Sequence, residues 1–131
     1  MIDAMGTFHT ECEIVNIAQP AKRVTVSRLL VDTGSEFTWV PEDALRQIGI
    51  EVTKKDLQFV MANGQIITRS VGYAIIRVQG FETVDEIVFA QPGDLSLLGA
   101  RTLEGFGAAV DSGKRRLVAA GPHVAASSSV K

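Results

Sequence analysis

Leu29-Leu30-Val31-Asp32-Thr33-Gly34-Ser35 is the stretch on which the reading of this chain turns. Three apolar residues in a row read as a short strand buried on both faces, and Asp-Thr-Gly reads as a turn at its end. A carboxylate just past a buried strand is held by the core and yet faces solvent. There a general acid or base is useful, because burial and neighbours tune its proton affinity. The tripeptide alone is common, but here it continues as Glu36-Phe37-Thr38-Trp39-Val40-Pro41.

Working outward, 131 residues make one domain with a real core but not two lobes. A net charge of −2 gives no reason to expect nucleic acid or an anionic membrane as partner. No apolar run approaches the roughly 20 residues that span a bilayer. Met1 to His9 shows no basic stretch followed by an apolar one, so no signal peptide is read and the cytoplasm is the expected compartment. The single Cys12, between Glu11 and Glu13, reads as a quiet strand residue, since neighbouring acids disfavour a thiolate. His9 and His123 lack ligand-spaced partners, so neither a metal nor a cofactor is expected.

Most of the remaining chain reads as strands. Phe8 to Ile17 alternates loosely, and Arg23 to Val31 carries β-branched residues into the Asp32 turn. Phe37 to Val40 is a short strand. Pro41 to Gly49 has Pro and acids first and Gly last, the start and stop signals of a short helix. Leu57 to Met61 and Gln65 to Thr68 flank Ala62-Asn63-Gly64, and Asn-Gly between apolar arms predicts a hairpin with a type I′ turn. Val71 to Val78 and Phe81 to Phe89 pair around Gln79-Gly80. Asp94 to Gly99 reads as a second buried strand, followed by a helix over Ala100 to Phe106 stopped by Gly107. Ala108 to Val110 and Arg115 to Ala119 form a closing hairpin, leaving 121–131 as a flexible tail. Leu45 to Val52 and Leu103 to Val110 match each other 58 residues apart, each a helix end, a Gly stop and a strand.

Residues Leu29 to Pro41 resemble the active-site segment of aspartic proteases, and the chain around them resembles the single-domain, retropepsin-like branch of that clan, of bacterial or archaeal type. The resemblance covers about residues 5 to 120 and rests on three features in order: Asp-Thr-Gly-Ser, the Asn-Gly hairpin, and Leu97-Leu98-Gly99 before a helix. It implies an all-β, acid-protease-like closed barrel over 1–120 with one or two short helices. A ψ-loop made with Leu97, Leu98 and Gly99 would lie beneath the active site. The implied activity is that of an endopeptidase on polypeptide substrates. Two carboxylates must share a proton there, because like charges so close cannot both ionise. Only one suitable Asp-Thr-Gly is present, so the second Asp32 would come from the other chain of a homodimer.

The same resemblance assigns supporting roles. Thr33 would bond across the dimer, Gly34 would let backbone approach carboxylates and substrate, and Ser35 would donate its hydroxyl to Asp32. Val60, Met61, Ala62, Asn63, Gly64 and Ile66 would form a flap and pocket walls over the substrate, with Val60, Met61 and Ile66 facing the cleft. Flaps of pepsin-like relatives carry a Tyr; none lies here, so Trp39 reads as core. Relatives often place Arg directly after the second Gly, paired with an acid four residues beyond the catalytic Asp. Here Ala100 stands in that place, and a pair between Arg101 and Glu36 stays open. A rival reading keeps the fold as a peptide- or protein-binding dimer with little turnover.

Val110-Asp111-Ser112-Gly113 spells a second hydrophobic-Asp-Ser-Gly, but Lys114-Arg115-Arg116 follows where a buried strand should continue. A solvated turn accounts for it better. A hydroxyl donating to a carboxylate favours its charged form, so the chain with Ser35 should have a more acidic pH optimum than its Ser35→Ala variant. Coincident pH–rate profiles of the two would refute that.

Overall fold

The computed structural model describes residues 7–122 and 125; the 121–131 tail expected from sequence lies outside these but for Gly121, Pro122 and Ala125. The chain runs β1 (Phe8–Val15), β2 (Arg23–Val31), β3 (Thr38–Pro41), α1 (Glu42–Gln47), β4 (Lys54–Val60), β5 (Ile66–Val78), β6 (Phe81–Ala90), β7 (Leu97–Leu98), α2 (Ala100–Phe106), β8 (Ala108–Asp111) and β9 (Arg116–Ala119). The fold is mostly β with two short helices.

β1 alternates buried and exposed residues along Phe8-His9-Thr10-Glu11-Cys12, as a strand with one face on a core does. It pairs antiparallel with β2 on one side and with β5 on the other. The remaining order is β2-β7-β3-β6-β5, so the pairings return to β1 and close a ring, with β4 hung on the outside of β5. Closure leaves no edge on the ring itself. Inside lie fully buried Ile14, Leu29, Val31, Val40, Ile76 and Leu98. A separate two-stranded sheet, β8-β9, is tied on where the Leu117 N–H donates to Gln79 Oε1 at 2.9 Å.

The topology turns on β7. Two residues long, it inserts between β2 and β3, parallel to the first (Leu30↔Leu97, Val31↔Leu98) and antiparallel to the second (Trp39↔Leu97). Sequential strands β2 and β3 are thereby held apart by a strand from more than fifty residues later, which is the ψ arrangement expected from sequence. The strand is shorter than the expected Asp94 to Gly99. Gly93 has φ +95, and the Asp94 carboxylate accepts the Gln91 N–H at 2.8 Å, so residues 91–94 close as a turn.

Other differences have physical reasons. The arms expected as 65–68 and 71–78 are one 13-residue strand, β5, because its first half pairs with β4 and its second with β6. Ile50-Glu51-Val52 forms no strand, unlike its counterpart in β8, although both preceding glycines, Gly49 and Gly107, close a helix with positive φ. The type I′ turn is not at Asn63-Gly64. There the Gly64 N–H donates to the Met61 carbonyl, the Met61 N–H to the Gln65 carbonyl (both 2.8 Å), and only Gly64 has positive φ, +86. The Asn63 carboxamide oxygen accepts the Gln65 N–H at 2.9 Å, a local bond that builds a longer turn. Both central residues are left-handed at Gln79 (φ 52) and Gly80 (φ 87), the two-residue turn joining β5 to β6.

Gly99 follows β7 where no side chain fits: a Cβ there would collide with the Phe37 carbonyl. Gly99→Ala should therefore destabilise the protein by about 1–3 kcal/mol, measured by urea unfolding; a stability equal to wild type would show that the crossing is looser than described.

Candidate active site

β2 delivers Asp32 to the surface. The Leu30 N–H donates to Ser96 and the Asp32 N–H to Leu98 (3.1 and 3.0 Å), so the carboxylate emerges where the β2–β7 pairing ends. Asp32 is half-buried. Its Oδ1 accepts the Gly34 N–H at 2.9 Å and its Oδ2 accepts the Ser35 hydroxyl at 3.1 Å. Both oxygens are thus oriented by their own turn. A Cβ on Gly34 would sit 3.2 Å from Oδ1, crowding the group it serves. Thr33 is exposed, and among the described residues its hydroxyl makes no hydrogen bond.

The turn is pinned from behind. The Ala100 and Arg101 N–H groups donate to the Ser35 and Glu36 carbonyls at 2.7 and 3.0 Å. Beneath them runs a buried relay. The Gly99 N–H donates to Thr38 Oγ1 (2.9 Å), Thr38 and Thr102 hydroxyls meet at 2.6 Å, and Thr102 donates to Asp85 Oδ2 (2.8 Å). Each hydroxyl has one proton. Since Thr102 spends its proton on Asp85, the proton between the threonines must belong to Thr38. The carboxylate of Asp85 sets the polarity of the whole chain.

In front of Asp32 lies an open cleft of about 760 Å³ between its turn, β4 and the segment before β7. Much of its wall is apolar and aromatic. Phe59 of β4 meets Phe37 edge-on (centroids 5.4 Å) and Trp39 at 5.0 Å. Trp39 is buried, as expected of a core residue, but it belongs to a small second cluster with Val88, Ala90 and Leu97, of which Trp39 and Leu97 also wall the cleft. Val60, Met61 and Ala62 line the cleft, and so does Leu97. Asn63 and Gly64 lie at the hairpin's tip, outside the lining. Ile66, expected to face the cleft, lies outside the lining and is 60 % exposed: it sits on β5, one strand further from Asp32 than its partner Val60. Phe37, Phe59 and Leu95 were not anticipated from sequence. The period-2 pattern of 57–59 could have flagged Phe59; nothing local marks Leu95.

Neighbouring charges fall into two groups. Asp94 reaches the cleft but is gripped bidentately by Arg69 (2.7 and 2.8 Å), which holds its carboxyl below the usual carboxylate range. Glu86 is buried. Lys54 lies 2.8 Å from one oxygen and Arg101 3.2 Å from the other, and the Lys54 ammonium foremost lowers its proton affinity. The open question of an Arg101–Glu36 pair is thereby answered. Arg101 turns instead to Glu86 and stacks over Phe37 at 4.6 Å, and only its backbone N–H meets Glu36. Asp111 lies in β8, away from the cleft lining, its Oδ1 accepting the Lys114 N–H at 3.1 Å. Burial pushes the Cys12 thiol up to about 12, leaving it inert. Among the described residues, no three His, Cys, Asp or Glu side chains converge to hold a metal ion.

A family model described as "gag-polyprotein putative aspartyl protease" matches residues 22–105. The retroviral protease-like domain of Ddi1 from Leishmania major superposes with a TM-score of 0.57 at 12 % identity, over 88 % of this chain and 89 % of that one. A retropepsin-like aspartic protease from Rickettsia conorii matches 75 % of this chain and 81 % of its own at 17 % identity, with a TM-score of 0.44. No curated protein matches in sequence.

The Glu86 cluster has a defined pH signature. Its lowered proton affinity in the folded state makes its contribution to stability full above the unfolded value near 4.5, lost as pH falls through the lower folded value. Glu86→Gln should cost about 1–2 kcal/mol at pH 7, a gap that closes in acid. A stability difference that does not change between pH 7 and 3 would contradict this ion cluster.

Proposed function

Since the chain belongs to the gag-polyprotein aspartyl protease family, we propose that it is an aspartic endopeptidase whose active site forms between two copies of the chain. Family and fold together support aspartic protease activity in general. The dimeric mechanism rests on one observation: Asp32 alone among the cleft's carboxylates is oriented by backbone and hydroxyl donors with no cation upon it. Asp94 is spoken for by Arg69, and Glu36 is exposed at the rim. One chain therefore supplies one catalytic carboxylate, and a two-fold interface supplies its equal.

In that arrangement the two Asp32 carboxyls share a proton and hold a water between them. One takes a proton from the attacking water as the other protonates the scissile carbonyl oxygen, and the pair titrates as a unit. Gly34 N–H and Ser35 Oγ keep the carboxylate planes fixed, so that little reorganisation accompanies the reaction. Exposed Thr33 is placed to bond the partner's turn. The β4–β5 hairpin, with Val60, Met61 and Ala62 already on the cleft, is the flap: closing it over an extended polypeptide excludes water and offers backbone hydrogen bonds. The lone buried thiol fits a reducing compartment, and we place the enzyme in the cytoplasm.

A peptide-library digest tests this directly. Asp32→Asn should lower cleavage by about 10²–10⁴-fold, whereas Asp111→Ala should leave the product set intact, and sedimentation should show a dimer. Identical products from wild type and Asp32→Asn would leave a peptide-binding dimer as the better account.

A further inference from the structure

The chemistry of the cleft points beyond hydrolysis to what it selects. Its charged lining residues are Asp32, Glu36 and Asp94, and no Lys or Arg is among them. Asp94 is neutralised by Arg69. Asp32 is committed to the reaction. Glu36 is left over: it lines the cleft, it is exposed, and among the described residues no cation lies within 4 Å of its carboxylate. The natural counter-ion, Arg101, is turned away by two contacts, the buried Glu86 carboxylate at 3.2 Å and the Phe37 ring at 4.6 Å. Glu36 itself cannot drift far, because its carbonyl is fixed by the Arg101 N–H at 3.0 Å. Phe37, the next residue in sequence, meets Phe59, which also meets Trp39, and the three form an aromatic wall of the same cleft.

An apolar, aromatic wall with a free carboxylate at its rim matches a side chain that is a hydrocarbon stem with a cationic head. We infer that Glu36 is a specificity-determining residue that selects polypeptides carrying Lys or Arg at a position flanking the scissile bond. The stem lies along the aromatic wall, and the head pairs with the Glu36 carboxylate. In the two-fold dimer each half of the cleft contributes one Glu36, so the preference falls on both sides of the bond. This rests on the endopeptidase reading, and the test separates the two.

Peptides identical except for Lys, Gln or Glu at one position at a time are cleaved by wild type, Glu36→Gln and Glu36→Lys. Wild type should favour Lys over Gln at one or more positions by about 10-fold in kcat/KM. In Glu36→Gln that ratio should fall to about one, and in Glu36→Lys the Glu peptide should become the favoured one. Inversion is decisive, because a variant that is merely damaged loses all substrates alike. A Lys preference that survives Glu36→Gln, or none in wild type, overturns the inference while leaving the peptidase standing. If no peptide is cleaved, the peptidase reading fails, and fluorescence anisotropy of the same panel decides the inference: equal affinity of wild type for Lys and Gln peptides overturns it, and tighter Lys binding abolished by Glu36→Gln upholds it.

Discussion

The constraint on which everything else depends is the insertion of two residues, Leu97 and Leu98, between β2 and β3. That wedge receives the Asp32 N–H, brings Gly99 against the Phe37 carbonyl, and starts α2 where its first N–H groups meet the Ser35 and Glu36 carbonyls. Both its leucines are buried, Leu98 completely, and the segment also positions the site: the Asp32 turn is held through the β2–β7 pairing, Gly99 and the start of α2. Polar atoms there have no water to fall back on, which explains the complete chain of donors from Gly99 through Thr38 and Thr102 to Asp85.

Charge is distributed with the same economy. Arg69 and Asp94 meet with both side chains largely out of solvent and tie β5 to the loop that carries Leu95 into the cleft. Glu86 gathers Lys54 from β4 and Arg101 from α2. Both clusters remove cations that could otherwise have settled on the cleft carboxylates. The site's negative character thus follows from where the arginines are anchored rather than from an excess of acids.

Much of this was legible in the chain itself. Leu29 to Ser35 announces its buried strand and turn, Leu97-Leu98-Gly99 its counterpart, and the segment 57–68 its hairpin. What escaped has a common cause. Asn63-Gly64 is the favoured two-residue turn by local preference, yet the Asn63 carboxamide bonds to Gln65 and the tight turn falls at Gln79-Gly80, where the flanking strands Val78 and Phe81 are in register. Arg101 could not be assigned from spacing, because its partner Glu86 lies on β6 and only the tertiary fold brings it near. The cleft's aromatic wall joins residues 37, 39 and 59 across strands whose pairing no local pattern reveals. Ile66 has the right apolar character but the wrong strand.

β5 carries a mechanical consequence. From Val71 onward its backbone is paired to β6, and at Ile75 to Arg77 also to β1, whereas from Ile66 to Arg69 its strand partner is β4 alone. The β4–β5 hairpin is therefore the free end of a lever whose other end is built into the barrel wall. The strand's support changes at Arg69-Ser70-Val71, and the Arg69–Asp94 ion pair sits at that change. The root of the hairpin is thus braced to the segment before β7 by an ion pair whose two members lie 25 residues apart in the chain.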